Sequence, residues 1–319
     1  MSVATRFEAL RLRARLYTLL RAFFAERGVL EVETPMLSVA GNTDPNIASF
    51  QTRFSGHTDA GARIRYLRTS PEFPLKRLLA AGLGDCYELG RVFRDGEAGG
   101  RHNPEFTMLE WYRLGLDHYA LAEEVVALVQ AALALVDRQA QVHVTTYAKL
   151  FSQHLGIDAH GASETTLREP LADFGIDPEG MSRDDWLDLL LTHHLQPAFG
   201  ADTITVIHDY PASQCALARV REGAPPVAER FELYLGAFEL ANGYHELNDA
   251  SEQRRRFQAD NARRRQRGDA ELPLDEALLA TLDAMPDCAG VALGVERLLM
   301  GLLGTDAIAD VLAFPFGQA

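Results

Sequence analysis

Apolar positions Phe7, Leu10, Leu16, Leu19, Leu20, Phe23 and Phe24 recur at helical spacing near the start of the chain. They predict an amphipathic helix over residues 5–27, closed by Gly28. The period then shortens. Residues 29–33 (VLEVE) read as a strand stopped by Pro35, which cannot donate to a sheet interior. A long helix feeding such a strand fits a dimer-interface element and an ordinary helix–strand unit equally. Residues 38–62, rich in Gly, Asn, Asp, Ser and Thr, predict loops around a short strand at 50–54, and 66–68 is strand-like again. Ser70-Pro71-Glu72 announces a helix over 73–81, with Ser70 as its cap and Glu72 as a first-turn acid.

Alternation resumes in residues 87–94 and 105–112, around a loop holding Gly96, Gly99, Gly100 and Pro104. This predicts an antiparallel hairpin with a long connection. A helix follows over 118–136, then several helical patterns within 137–205, among them 183–195, and a strand at 203–208 closed by Tyr210-Pro211. In residues 229–246 a tight turn at Leu235-Gly236 is expected to pair Tyr234 with Ala237, Leu233 with Phe238 and Glu232 with Glu239. Asn242-Gly243 reads as a further turn. Residues 251–268 predict a helix with six arginines plus Arg267. A small-residue strand at 291–295 runs into an apolar helix from about Glu296.

The chain has 319 residues, enough for a substantial core in one large domain or two smaller ones. Its net charge of −14 limits the gain from counterion release on nucleic acid, so such binding needs a local basic patch. Cys86, Cys215 and Cys288 are widely spaced, which argues against a disulfide framework or zinc site and fits a reducing cytoplasm. No apolar run is long enough to span a membrane. The arginines of the first segment suggest a transit peptide, but Glu8 and Glu26 interrupt them, and a docked helix fits better.

The hairpin region concentrates Arg91, Arg94, Glu97, Arg101, His102, Asn103, Glu105 and Glu110. A solvated charged face explains this, and so does a grip on an anionic, aromatic ligand such as a nucleotide. Glu232 opposite Glu239 is unfavourable unless a hard cation lies between them, or unless one acid pairs with an arginine such as Arg230. Arg297 occupies a first helical turn, where acids are preferred, so either a ligand anion or a buried Glu answers it. His193 and His194 lack a partner at metal-ligand spacing. The arginine-rich helix is either a solvated face or a dock for an acidic partner.

Three stretches, in order, resemble the signature motifs of class II aminoacyl-tRNA synthetases: the helix and strand ending in VETP, FRDGEAGGRHNPEFTMLE, and GVALGVERLLM. HNPEFTMLEWY and ELANGYHEL are similar to the lysine branch. An anticodon-binding barrel has no room before the first motif, and ASQCALARV, VAERFELY and MPDCAGVALG are similar to paralogues that act on elongation factor P. The resemblance implies an α+β catalytic core, a mostly antiparallel sheet flanked by helices. It implies one domain over residues 1–319 with a helical insertion at about 117–205, and a homodimer.

The activity implied is an ATP- and Mg²⁺-dependent ligase that activates (R)-β-lysine as an adenylate and transfers it to a lysine side chain of elongation factor P. By motif match, Arg94 would bridge the substrate carboxylate and the α-phosphate. Phe106 would stack on adenine beneath His102 and Asn103, with Asp95, Gly96 and Glu97 beside it. Arg297 would hold the γ-phosphate, Gly294 would let the nucleotide lie on backbone, and Leu240 adjoins the nucleotide set. Glu232 and Glu239 would hold Mg²⁺. Ser70, Pro71, Glu72, Tyr112, Asn242 and Glu246 would line the lysine pocket, with Glu72 and Glu246 answering two ammonium groups. Two positions depart from the pattern. Gly96 stands where an acid is common, and Ala292 where a glycine is common; the added methyl suits a substrate whose amino group is displaced from the α-carbon. The alternatives are a truncated lysyl-tRNA synthetase still charging tRNA, which the acidic charge disfavours, and a non-catalytic regulator binding amino acid and nucleotide.

Overall fold

The computed structural model describes residues 3–57, 59 and 61–319. They divide into two compact units, Met1–Gly115 with Leu247–Ala319, and Leu116–Glu246.

In the first unit the opening helix, Val3–Glu26, buries Leu16, Leu20 and Phe24 completely. The Phe24 ring stacks on Tyr87 at 4.3 Å and meets Trp111 edge-on at 5.3 Å, which fastens the helix to the sheet. Gly28 has φ +69°, the left-handed conformation expected of a glycine just past a helix. Of the strand expected at 29–33, only Leu30–Glu31 forms a ladder, parallel to Cys86 and Tyr87. The hairpin is as expected, with Cys86–Phe93 antiparallel to Glu105–Leu114. Cys288–Gly294 lies antiparallel on the other side of Glu105–Leu114. A separate small sheet holds Leu37–Ser38, Ile64–Leu67 and Gln51–Arg53. The helix expected over 73–81 spans Glu72–Ala80. Pro71 is its N-cap rather than Ser70, whose Oγ accepts the Glu72 N–H at 3.2 Å.

The arginine-rich helix, Ala250–Gln266, faces the core with Gln253, Phe257, Asn261 and Arg264. Its arginines find partners within the unit: Arg254 with Glu276, Arg255 and Arg256 with Glu252, Arg263 with Asp260, and Arg265 with Glu271. Arg264 and Arg267 donate to Ala270 O and Asn46 Oδ1. Ion pairs within the unit thus engage the charge run, while Arg255, Arg263 and Arg265 stay largely exposed.

The second unit begins with His118–Ala134, capped by Asp117. Residues 137–205 carry the helices Tyr147–Leu155 and Arg183–Leu190. They also contain a strand that the helical reading missed, Gln141–Thr146, parallel to Thr203–Pro211. It is an edge strand in which Val142 and Val144 alternate with polar residues but stay exposed, a short alternation that the helical reading passed over. Tyr147, Phe151, Trp186 and Leu190 form a core with Ile207, Tyr210 and Tyr234. His194 Nε2 lies 2.9 Å from Pro170 O, a structural contact.

The hairpin of this unit pairs Val227–Leu235 with Phe238–His245. Its register corrects the expected one. Leu235 lies opposite Phe238, a bulge falls after Leu233, and Glu232 faces Asn242 while Glu239 faces Tyr234. Asn242-Gly243 lies inside the strand, with Gly243 opposite Phe231, instead of forming a turn. The dipeptide supplies a turn only where no ladder claims its backbone.

Two outcomes are expected of this packing. Phe24→Ala should lower stability by about 3–5 kcal/mol, read as a fall in the urea midpoint of the unit that contains it. Burial, then the nearby Asp85, Glu110 and Glu88, push the Cys86 thiol up to about 12. At pH 8, iodoacetamide should therefore leave Cys86 unmodified in the native protein and alkylate it only after unfolding.

Candidate functional site

In the first unit the strand registers align three-residue rows whose side chains share one face. Cys86, Tyr112 and Gly290 form one row; Glu88, Glu110 and Ala292 the next; Gly90, Met108 and Gly294 the third. Val92 and Phe106 continue the same face. The opposite face, with Tyr87 and Trp111, is the one the opening helix covers. The functional face is therefore low along Cys288–Gly294, where Gly290, Ala292 and Gly294 carry little or no side chain. A Cβ at Gly294 would meet only the Arg297 Cβ, at 3.9 Å, so the floor there is open.

Gly90 has a different reason. A Cβ there would stand 2.5 Å from Arg68 Nη2 and 3.1 Å from Glu88 Oε1. Arg68 and Glu88 form a buried ion pair at 2.6 Å, supported by Thr34. Glu88 lies directly opposite Glu110, and Arg68 relieves that like-charge pair. The Glu110 Oε1 accepts the Tyr112 hydroxyl at 2.8 Å, which orients Tyr112. Neither Arg68 nor Glu88 was among the sequence candidates, because their pairing joins residues that no local pattern connects.

At the far end of this face stands the hairpin loop. Arg94 lies 5.2 Å over the Phe106 ring and 3.6 Å from Glu97. Its Nε, shielded from solvent, has no hydrogen-bond partner among the described residues. Gly96 has φ +80°, so a turn rather than ligand chemistry requires a glycine where the motif often has an acid. Asp95 N–H donates to Ala48 O at 2.9 Å, and Gly99 N–H to His102 O at 3.1 Å, so the loop is pinned at both ends. Asn103 donates to Glu105 O at 2.7 Å and accepts the Phe316 N–H at 2.9 Å. Arg297 Nη2 donates to His102 Nε2 at 2.8 Å. His102 is therefore the neutral ring, and partial burial and then the Arg297 charge lower its pKa.

Arg297 follows a buried carboxylate. Glu296 begins the helix Val295–Leu303, accepting Arg13 Nη1 and the Thr107 N–H, each at 2.8 Å. In the expected lysine pocket, Ser70 and Pro71 precede Glu72, whose carboxylate already pairs with buried Lys76. A sequence reading that counts Glu72 as an uncommitted acid misses that internal ammonium.

In the second unit the bulge puts Glu232, Tyr234, Glu239 and Asn242 on one face, although Glu239 and Asn242 are three residues apart on their strand. Glu232 accepts hydrogen bonds from Arg230 and the Tyr234 hydroxyl. Arg230 also donates to Asn242 Oδ1 at 3.2 Å and Gln214 O at 2.9 Å, and lies over the Tyr210 ring. Leu240 is buried at the bulge, and Glu246 is buried beyond the strand end, its backbone oxygen held by Arg219 Nε at 2.8 Å. Arg230 and Tyr234 are organising residues that the sequence reading left outside the site. The expected cross-strand opposition of Glu232 and Glu239 does not occur. Instead both Glu232 oxygens and Asn242 Oδ1 accept from Arg230 or Tyr234, so the arginine pairing left open by the sequence is the one found for Glu232.

A family model described as tRNA synthetases class II (D, K and N) matches residues 4–318. The chain is 48% identical to the elongation factor P–(R)-β-lysine ligase of Vibrio cholerae over 315 residues, covering 97% of this chain and 96% of that protein. Proteins of the same name from Yersinia enterocolitica and Salmonella arizonae are each 47% identical over 312 residues, 96% of this chain and 94% of theirs. No helix among the described residues is long and apolar enough to cross a membrane.

The His102 environment can be tested by NMR titration. The imidazole should titrate below its usual value of about 6.5. Removing the neighbouring charge in Arg297→Ala should move it upward, with partial burial still holding it below that value.

Proposed function

From the premise that the chain belongs to the class II tRNA synthetases (D, K and N), we propose that it activates (R)-β-lysine with ATP and transfers it to a lysine side chain of elongation factor P. The observation that carries this reading is its end-to-end likeness to ligases of that name, at 48% identity over 97% of the chain. ATP is cleaved to AMP and pyrophosphate, and the products are an amide bond and a modified acceptor.

The chemistry requires no protein nucleophile, because the amino-acid carboxylate itself attacks the α-phosphate. What the protein supplies is positioning and charge stabilisation. Arg94 is the candidate for this, its fork of donors over Phe106 and its Nε uncommitted to any described residue. Phe106 offers its ring to adenine, and Gly294 leaves the floor open for nucleotide. Arg297 is the candidate for the γ-phosphate; on binding it would exchange His102, a neutral acceptor, for an anion. Glu232 and Glu239 are the candidates for Mg²⁺, which would neutralise phosphate charge. Tyr112, oriented by Glu110, and Ala292, in the same row as Glu110, define the substrate end of the floor. The Ala292 methyl narrows that end and suits a β-amino acid.

The exposed apolar side chains Leu30, Met36, Leu37 and Val39 support a homodimer through this segment. Sedimentation velocity should give twice the chain mass, and Leu37→Glu should shift it toward the monomer.

Incubation with elongation factor P, ATP and (R)-β-lysine should add one lysine-sized mass to a single acceptor lysine by mass spectrometry. Charging of purified tRNA with labelled lysine instead would favour the tRNA-charging alternative. Arg94→Ala should reduce pyrophosphate exchange on the order of 10²–10³-fold. Exchange should be faster with (R)-β-lysine than with α-lysine, and Ala292→Gly should shift that preference toward α-lysine by roughly 10-fold or more. Equal or reversed rates in the unsubstituted protein would overturn the assignment to Ala292.

A further inference from the structure

Across the second unit's hairpin from Glu232 and Asn242 lies a polar cluster that the ligase reading does not use. Arg230 pairs with Tyr244 in the ladder, so the neighbouring Glu229 and His245 point to the opposite face, the side of buried Phe231. His118, the first residue of the helix His118–Ala134, meets them there. His118, Glu229 and His245 each offer a ligand atom, and the three atoms lie within 4.8 Å of one another.

The ring of His118 is almost wholly buried, and its two nitrogens differ. Nε2 lies 3.4 Å from Asp209 Oδ1, while Nδ1 is buried with no hydrogen-bond partner among the described residues. A proton on Nε2, shared with the carboxylate, leaves Nδ1 as a bare lone pair, and an unsatisfied buried acceptor is costly. A carboxylate behind a histidine in this way is the usual support for a metal-binding imidazole. Asp209 is itself firmly placed. It accepts from Arg221 at 2.8 Å and from the Tyr119 hydroxyl at 3.0 Å, and it holds φ +58°. Burial opposes its ionisation, but the close His118, His208 and Arg221 side chains keep its carboxyl well below the usual range. Glu229 Oε1 lies 3.3 Å from Arg221, while Oε2 lies 2.6 Å from His245 Nδ1.

We propose that His118, Glu229 and His245 form a binding site for a divalent transition metal, with Zn²⁺ the best fit, and with Asp209 positioning His118. Two imidazoles and one carboxylate match zinc's preference for nitrogen and oxygen donors, and three protein ligands leave a fourth position for water. Zn²⁺ takes the place of the proton between His245 Nδ1 and Glu229 Oε2. That proton is released, and the pair opens by roughly 0.7 Å to reach tetrahedral spacing. The Arg221 guanidinium offsets only one of the two carboxylates, so the cluster retains negative charge for the cation. The site is independent of the Mg²⁺ reading, which concerns oxygens on the other face of the strands.

The test uses the full chain, tag removed and treated with chelator, titrated with Co²⁺ and then Zn²⁺. One equivalent of Co²⁺ should bind with the visible absorption of a four-coordinate nitrogen and oxygen site, and Zn²⁺ should displace it. Zn²⁺ should raise the thermal midpoint, and Mg²⁺ should not. Glu229→Gln and His245→Asn should each weaken Co²⁺ binding at least tenfold, and Asp209→Asn by 10- to 100-fold. Asn tolerates the positive φ at 209, so that variant should fold. His118→Ala risks misfolding, and the other three variants carry the result. Substoichiometric uptake by the unsubstituted chain, or equal affinity in Glu229→Gln and His245→Asn, would overturn the proposal.

Discussion

One buried carboxylate organises the first unit. Glu296 takes the Arg13 guanidinium on one oxygen and the Thr107 N–H on the other. Thr107 lies one residue beyond the last ladder pair, Met108 with Gly294, so its N–H has no strand partner there. Glu296 caps that end of the ladder while sitting in the first turn of its own helix, where the dipole favours an acid. The opening helix, the hairpin and the final helix are thus tied at one point. The next residue is Arg297, and consecutive helical positions diverge by about 100°. Burying Glu296 therefore turns Arg297 outward, to the loop histidine. A buried arginine and amide facing no carboxylate would be costly, which is why the tie is strict.

The floor beside this tie is shaped by what its residues lack. Gly290, Ala292 and Gly294 keep one strand low, while the flanking rows place Glu110, Tyr112, Met108 and Phe106 along it. Gly90 is required for another reason, since the Arg68–Glu88 pair occupies the space a side chain would need. Glycines that look alike in the sequence therefore serve separate ends: an open floor at Gly294, a packed ion pair at Gly90, and a left-handed turn at Gly96.

In the second unit the governing constraint is the bulge after Leu233. A regular hairpin that set Glu232 against Glu239 would send Asn242, three residues further on, to the opposite face. The extra residue brings Glu239 and Asn242 to the face of Glu232, where Arg230 and Tyr234 meet that acid. The same alternation sends Glu229 and His245 to the reverse face, toward His118. One strand pair thus presents two separate constellations.

Much of this was legible along the chain. The hairpin boundaries and the helices at both ends of the first unit follow from periodicity and turn residues, which are local, while Arg94, Phe106, Gly294 and Arg297 are candidates by motif likeness. The failures are as instructive. The edge strand Gln141–Thr146 carries only two alternating valines, Val142 and Val144, both exposed, too short a pattern to stand out among the helical segments around it. Asn242-Gly243 resembled a turn because the signal omits the neighbouring strand. The arginine helix read as a solvated face or a dock, and the acids that pair with it, Glu252 and Asp260 within it and Glu276 and Glu271 beyond it, were not assigned to it. The sequence by itself determined the order of elements, the family likeness and most residue types at the site. Only the tertiary structure decided register, the partners of buried charges and the face each side chain joins. Those depend on a one-residue bulge and on ion pairs between residues far apart in the chain, and a local pattern carries no record of either.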